Sequence, residues 1–254
     1  MPDKRTEVDK KVIVVGGASG VGAACVRSLA AAGAVVVSLD RSEEAGREVA
    51  EHAGQRFRPC DVTDRDQVFD AVDGAAADMG GIDALVHVAG ILVQGPAEEA
   101  TDEEWSRAMD INGRGPMLTN QAALPHLKKG ERSSITNFAS SAALTAYPNG
   151  AVYAASKGAV TAWTRTIAVE WAKYGIRANV VHPSAATSML EQHLSKMNDE
   201  EKAAYAEVMR QKVPLGGEFG DPDRDIAPVI TFLVGDGARF MTGQNVAVNG
   251  GYYI

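Results

Sequence analysis

"KVIVVGGASGVGAACV" (residues 11–26) changes character half-way along. Residues 11–15 are a short, β-branched apolar run bounded by glycine, which predicts a buried strand. From about Gly20 to Ala32 the small and apolar residues follow helical spacing, and Gly33 closes the segment. Between strand and helix lie Gly16, Gly20 and Gly22. Glycine at such a turn lets a phosphate approach the backbone, and the helix start supplies free N–H groups. The spacing Gly16-x3-Gly20-x-Gly22 is not the G-x-G-x-x-G of most dinucleotide folds. Alone it could equally be a tight strand–helix connection.

The same alternation runs outward from this point. Strands are predicted at 35–40 (VVVSLD), 57–61, 83–90, 133–140, 176–183 and 244–251. Helices are predicted at 42–54 with Ser42 as N-cap, and at 63–80, 102–112, 116–127, 151–173, about 188–210 and 222–235. Apolar strands alternating with helices imply a parallel sheet covered on both faces. The expected fold class is α/β: a single-domain, Rossmann-like, doubly wound parallel sheet of about seven strands spanning residues 1–254, with no linker or internal repeat.

A net charge of −8 disfavours nucleic acid and anionic membranes, whose phosphates need clustered Lys and Arg. Cys25 and Cys60 are far apart and form no CxxC, so they are expected to be reduced core residues in a cytoplasmic protein. The polar start "MPDKRTEVDKK" has no signal-like apolar core, and no cluster has metal-ligand spacing.

Two further features carry chemistry. Asp40 ends the second strand, at the distance past the glycines where a dinucleotide fold places its ribose-binding carboxylate. It would repel a 2′-phosphate, so NAD(H) is expected over NADP(H), although Arg41 follows directly. In "AVYAASKGAV" (151–160), Tyr153 and Lys157 are four residues apart and share a helix face. Tyr153 falls in the first turn, where the helix dipole favours a phenolate. A free tyrosine titrates near pH 10. A cation about 4 Å away, at an effective dielectric near 20, is worth roughly 4 kcal/mol, about 3 pH units, which would bring a phenolate within reach of neutrality. Ser140, at the end of a predicted strand, could hydrogen-bond a substrate oxygen; Ser141 is its rival.

Taken in order, Gly16/Gly20/Gly22, Asp40, Asp61, Ala89-Gly90, Asn112, Ser140, Tyr153, Lys157, Pro183 and "TGQNVAVNGG" resemble the short-chain dehydrogenase/reductase family from Val12 to Gly251. The resemblance implies a Ser–Tyr–Lys site with an auxiliary Asn. Tyr153 would exchange the proton of an alcohol or ketone oxygen, and Ser140 would orient that oxygen. Lys157 would hold the nicotinamide ribose and lower the tyrosine pKa. Asn112 would kink its helix and position a relay water. It further implies a cofactor bound by Gly16, Ser19, Gly20, Val21, Gly22, Asp40, Arg41, Asp61, Val62, Ala89, Gly90, Tyr153, Lys157 and Pro183, with Thr187 or Ser188 at the carboxamide.

Some positions depart from the family pattern. Val15 replaces a usual threonine, His87 an asparagine and Ser184 a glycine. Residues 188–217 are the expected substrate lid. With Leu92, Leu144, Tyr147 and Met189, besides Ser140, they suggest a small to medium, mostly apolar substrate. The 151–173 helix has apolar residues on several faces, Val152, Ala155, Ala159, Trp163, Ile167 and Trp171, which suggests a subunit interface; the resemblance implies a homotetramer. The expected activity is NAD(H)-dependent interconversion of a secondary alcohol and a ketone. A 3-oxoacyl-carrier reductase and a catalytically silent dinucleotide-binding regulatory protein are the alternatives.

Overall fold

The computed structural model describes residues 8–186 and 194–252. Seven parallel strands form one sheet in the order β3-β2-β1-β4-β5-β6-β7. They are β1 (Lys11–Val15), β2 (Val35–Asp40), β3 (Arg56–Pro59), β4 (Ala84–His87), β5 (Ser134–Phe138), β6 (Arg177–Pro183) and β7 (Asn245–Val248). The strand order reverses between β1 and β4, so the sheet opens a crevice at the carboxyl ends of these two strands.

The alternation of side chains along β1 sorts the core into two layers. Ile13 and Val15 join one apolar cluster and Val12 and Val14 the other. On the first face lie α3 (Arg65–Met79), α5 (Gly115–Leu127) and α6 (Ala151–Glu170). On the second lie α1 (Gly20–Ala31), α2 (Glu43–His52) and α8 (Ala227–Val234). Each layer buries a strand face, which is why the strands read as near-continuous apolar runs. Two further α-helices are α4 (Asp102–Ala108) and α7 (Asp199–Lys212).

The helix predicted at 102–112 stops early. After α4 the backbone widens into a π turn at Met109–Arg114 before α5 begins. Similarly, α6 ends at Glu170 and continues as a 3₁₀ turn, Ala172–Tyr174. Of the segment predicted as helical from 188, residues 187–193 lie outside the described residues, and α7 starts at Asp199 behind a reciprocal Asn198–Glu201 cap. No helix among the described residues is long and apolar enough to cross a membrane.

Candidate active site

The glycine turn is built by close packing. Gly16 has φ +85°, and a Cβ there would come within 2.5 Å of the Ala89 amide nitrogen. A Cβ on Gly22 would collide with the Gly16 carbonyl. Gly20 differs: φ is +51°, and nothing lies within 4 Å of where its Cβ would be. Its face is open to a cleft of about 790 Å³, within the usual range of small-molecule sites. Ser19 precedes α1 without capping it, so the first N–H groups of the helix carry no side-chain acceptor.

The predicted residues Gly16, Ser19, Gly20, Val21, Gly22, Asp40, Arg41, Asp61, Val62, Ala89 and Gly90 all line this cleft. The Asp40 carboxylate accepts from Ala18 N (3.1 Å) and Ser42 N (2.9 Å), one bond on each oxygen. Each oxygen keeps a second lone pair for a ligand hydroxyl. Asp61 Oδ1 accepts from the Thr63 amide (2.9 Å) and hydroxyl (2.7 Å). An open helix start, a collar of glycines and a carboxylate at the far end fit a dinucleotide.

Gly90 joins the cleft to a second group of residues. A Cβ on Gly90 would lie 3.0 Å from both Asn112 Oδ1 and Lys157 Nζ. Asn112, on the π turn, is fully buried. Its Oδ1 accepts from Ile91 N (2.8 Å), while Nδ2 donates to Ile91 O (2.9 Å) and Ser156 Oγ (2.9 Å). Ser156 donates in turn to the Tyr153 carbonyl at 2.8 Å. Lys157 Nζ donates to Phe138 O at 3.0 Å. Ser140 follows β5 and caps a 3₁₀ turn, its Oγ accepting from Ala142 N at 3.2 Å. Of the two candidate serines, Ser140 is the one whose hydroxyl lies close enough to Tyr153 to lower its pKa. Ser141 is buried and accepts from Asn249 Nδ2 instead.

The electrostatics correct one expectation. Lys157 Nζ is 5.9 Å from the centre of the Tyr153 ring and is turned toward a backbone carbonyl. Burial therefore dominates and pushes Tyr153 above the ordinary tyrosine value; Ser140 lowers it in part and the nearby Tyr147 raises it further. Burial also brings Lys157 down to about 8. Thus the lysine does not lower the tyrosine pKa in the free protein, as the four-residue spacing had suggested. His87 is buried and pushed down to about 3 by burial and by Lys157, and its Nδ1 lies 2.9 Å from Thr119 Oγ1. It is a neutral structural group. Burial raises Cys25 and Cys60 to about 12, so both thiols are inert.

Not every predicted position meets the cleft. Pro183 ends β6, paired with Val248, and is not among the residues that line the cleft. Thr187, Ser188 and Met189 lie outside the described residues. Leu92 and Leu144 are exposed, and the Tyr147 ring lies 6.1 Å from that of Tyr153. Val152 and Ile167 on α6, and Trp171 just after it, are buried, while Ala155 and Val169 are among its exposed residues. The sequence reading missed two supports. His182 Nδ1 lies 2.8 Å from Ser140 O, with no spacing signal to announce it. Ser156 was visible as a hydroxyl three residues after Tyr153, where a helix allows back-bonding.

A family model described as "Enoyl-(Acyl carrier protein) reductase" matches residues 16–253. The chain belongs to the short-chain dehydrogenase/reductase family. Within it, the chain is 34% identical over 249 residues to the cyclopentanol dehydrogenase of Comamonas testosteroni, covering 96% of this chain and 97% of that one. It is 35% identical over 254 residues to the trans-4-hydroxycyclohexanecarboxylate dehydrogenase of Sinomonas cyclohexanicum, covering 96% and 92%. Among solved structures, the aldohexose dehydrogenase of Thermoplasma acidophilum superposes with a TM-score of 0.87 at 29% identity, covering 98% of this chain and 95% of that one. As a short-chain dehydrogenase/reductase, the protein is an oxidoreductase built on a Rossmann-like sheet.

Proposed function

We propose that this oxidoreductase interconverts a secondary alcohol and a ketone with NAD(H), using Tyr153 as the group that exchanges the proton of the substrate oxygen. The observation that carries the reading is the junction at Gly90, where the dinucleotide-sized cleft meets Asn112 and Lys157, on the helix of Tyr153. When bound, the nicotinamide supplies or accepts the hydride. The protein's own share is orientation and proton handling. Ser140 holds the substrate oxygen beside the Tyr153 hydroxyl. Lys157, pinned to Phe138 O, presents a cation to the ribose and to the back of the site. Asn112 holds the Ile91 backbone and, through Ser156, the helix that carries Tyr153.

Asp40 favours NAD(H) over NADP(H), because its carboxylate lines the cleft and would repel a 2′-phosphate. Leu92 and Leu144 are exposed apolar side chains, which suits a small to medium, largely apolar molecule. The relatives' names point to a ring alcohol, and the Asp40 argument counts against a 3-oxoacyl-carrier reductase. The exposed Ala155 and Val169 on α6 are consistent with a subunit contact in a homotetramer.

The test is reduction of NAD in the presence of secondary and cyclic alcohols, followed by absorbance, with Tyr153→Phe in parallel. Turnover lost in the variant supports the reading. Tight NADH binding with no oxidation of any alcohol and no reduction of the matching ketones would replace it with a silent dinucleotide-binding protein.

A further inference from the structure

The proposed reaction leaves a polar pair beside Tyr153 without a task. In the segment after β4, Gln94 Nε2 donates to the Tyr147 hydroxyl oxygen at 3.1 Å. The pair is held in place from both sides. Gly95 N donates to Asn149 O at 2.9 Å, and Gly95 and Gly150 form an isolated parallel bridge. The Tyr147 ring lies against Gly150, where any Cβ would collide with it. Tyr147 is thus seated between this loop and the start of α6, with its ring packed on Gly150 and its hydroxyl held by Gln94.

The orientation matters because a phenol has one proton and two lone pairs. Gln94 occupies a lone pair. Among the described residues no acceptor takes the proton. The Tyr147 ring stands 6.1 Å from the Tyr153 ring at an interplanar angle of 54°, and its hydroxyl is close enough to influence Tyr153 electrostatically. A molecule whose oxygen is held by Ser140 and Tyr153 would thus carry its neighbouring atoms toward a second, fixed donor. The amide behind that donor polarises it further.

We propose that Tyr147, oriented by Gln94, is a specificity-determining residue that donates a hydrogen bond to a second oxygen of the substrate, borne on the carbon next to the carbinol carbon or one further along. The substrate class is then a compact diol or hydroxy ketone with an apolar frame, not a plain hydrocarbon alcohol. This deepens the proposed function and rests on it: Tyr153 must be the group that meets the reacting oxygen.

The experiment compares kcat/KM for cyclohexanol and for trans vicinal cyclohexanediol, with saturating NAD, in the unaltered enzyme, in Tyr147→Phe and in Gln94→Leu. The reading is the ratio of diol to mono-ol. One hydrogen bond lost to the substrate predicts a ratio about tenfold lower in Tyr147→Phe, with a smaller fall in the same direction in Gln94→Leu. Phenylalanine keeps the ring over Gly150, so the loop stays packed, and thermal melting checks this. A ratio unchanged in Tyr147→Phe, with both alcohols oxidised, overturns the specificity role while leaving the proposed function standing. Oxidation of cyclohexanol but not of the diol does the same. Failure to oxidise either alcohol, or the corresponding ketones to be reduced, overturns the proposed function and this inference with it.

Discussion

The side-chain amide of Asn112 donates to Ser156 Oγ at 2.9 Å, and this bond ties the widened turn at 109–114 to the helix that carries Tyr153. Both N–H groups of the amide are used, since the other reaches Ile91 O. Ser156→Ala would strand a buried donor, at a cost of about 1–3 kcal/mol. The urea midpoint should fall accordingly, and kcat should drop several-fold as Tyr153 loses its brace. An unaltered midpoint together with unaltered kcat would show that the bridge positions nothing.

Gly90→Ala tests the junction of cleft and site. The added methyl would sit 3.0 Å from Asn112 Oδ1 and from Lys157 Nζ, closer than such contacts normally come. Gly90 is not among the glycines with positive φ, so the backbone itself tolerates alanine. Nucleotide affinity and turnover should both fall by about tenfold or more while the fold persists. Full activity in this variant would place the working site elsewhere.

For Tyr153, a general acid–base group typically contributes a factor of about 100 to 10,000. Tyr153→Phe should lose at least about 100-fold in kcat and bind NADH nearly as before. Because burial holds the phenol protonated well into the alkaline range, alcohol oxidation should accelerate as pH rises from neutrality, and ketone reduction should not. If chemistry limits the rate and oxidation is flat with pH, the tyrosine is not the base.

The carboxylate of Asp40 has two duties, since it also braces the backbone at Ala18 and Ser42. Asp40→Ala should raise the ratio of kcat/KM with NADP to that with NAD by about tenfold, the removal of one like-charge repulsion of about 1.4 kcal/mol. It should also weaken NAD binding, because the glycine turn loses an anchor. Equal cofactor ratios before and after would remove Asp40 from cofactor choice.

Burial of Lys157 is unfavourable for the cofactor-free protein. Its folded value of about 8 lies below the ordinary 10.5, so the unfolded chain binds the proton more tightly. The destabilisation is complete below pH 8 and disappears as pH rises toward 10.5. Two and a half pH units correspond to about 3 kcal/mol, less about 1 kcal/mol for the Phe138 carbonyl left without its donor. Lys157→Met should therefore be about 2 kcal/mol more stable than the parent at pH 7, and inactive. Thermal melts across pH should see that advantage vanish in alkali; a constant difference would mean that Lys157 has the same pKa folded and unfolded, and that burial does not depress it.

How far the sequence carried these conclusions depends on how local each cause is. The strand at 11–15, the turn after it and the alternation to 251 follow from residue type and short-range period, and the sheet has the anticipated seven strands. The clustering of Gly90, Asn112 and Lys157 was legible as a family resemblance, and its geometry emerged only in three dimensions. The Tyr153–Lys157 argument went astray because helical spacing fixes a shared face and not the direction of a long side chain. Lys157 bends toward Phe138, nineteen residues away in sequence. Gln94 on Tyr147 and His182 on Ser140 join segments 53 and 42 residues apart, beyond any periodic signal. Which apolar residues of the 151–173 segment turn inward was hidden for a related reason: Val152, Ile167 and Trp171 are buried and Ala155 is exposed, and the sequence alone could not divide them.

The π turn at Met109–Arg114 has a consequence for how this region can change. A regular helix advances by about 100° per residue, so deleting one residue here would heal the turn and spin everything beyond it by that angle. Leu118, Ala122 and Leu127, which now face the core, would rotate out of it, or else Asn112 would leave Gly90. The widened turn acts as a phase shifter between two helices that answer to different partners, one to the site and one to the sheet. Length changes of a single residue should be tolerated in the neighbouring surface loops and refused between 109 and 114.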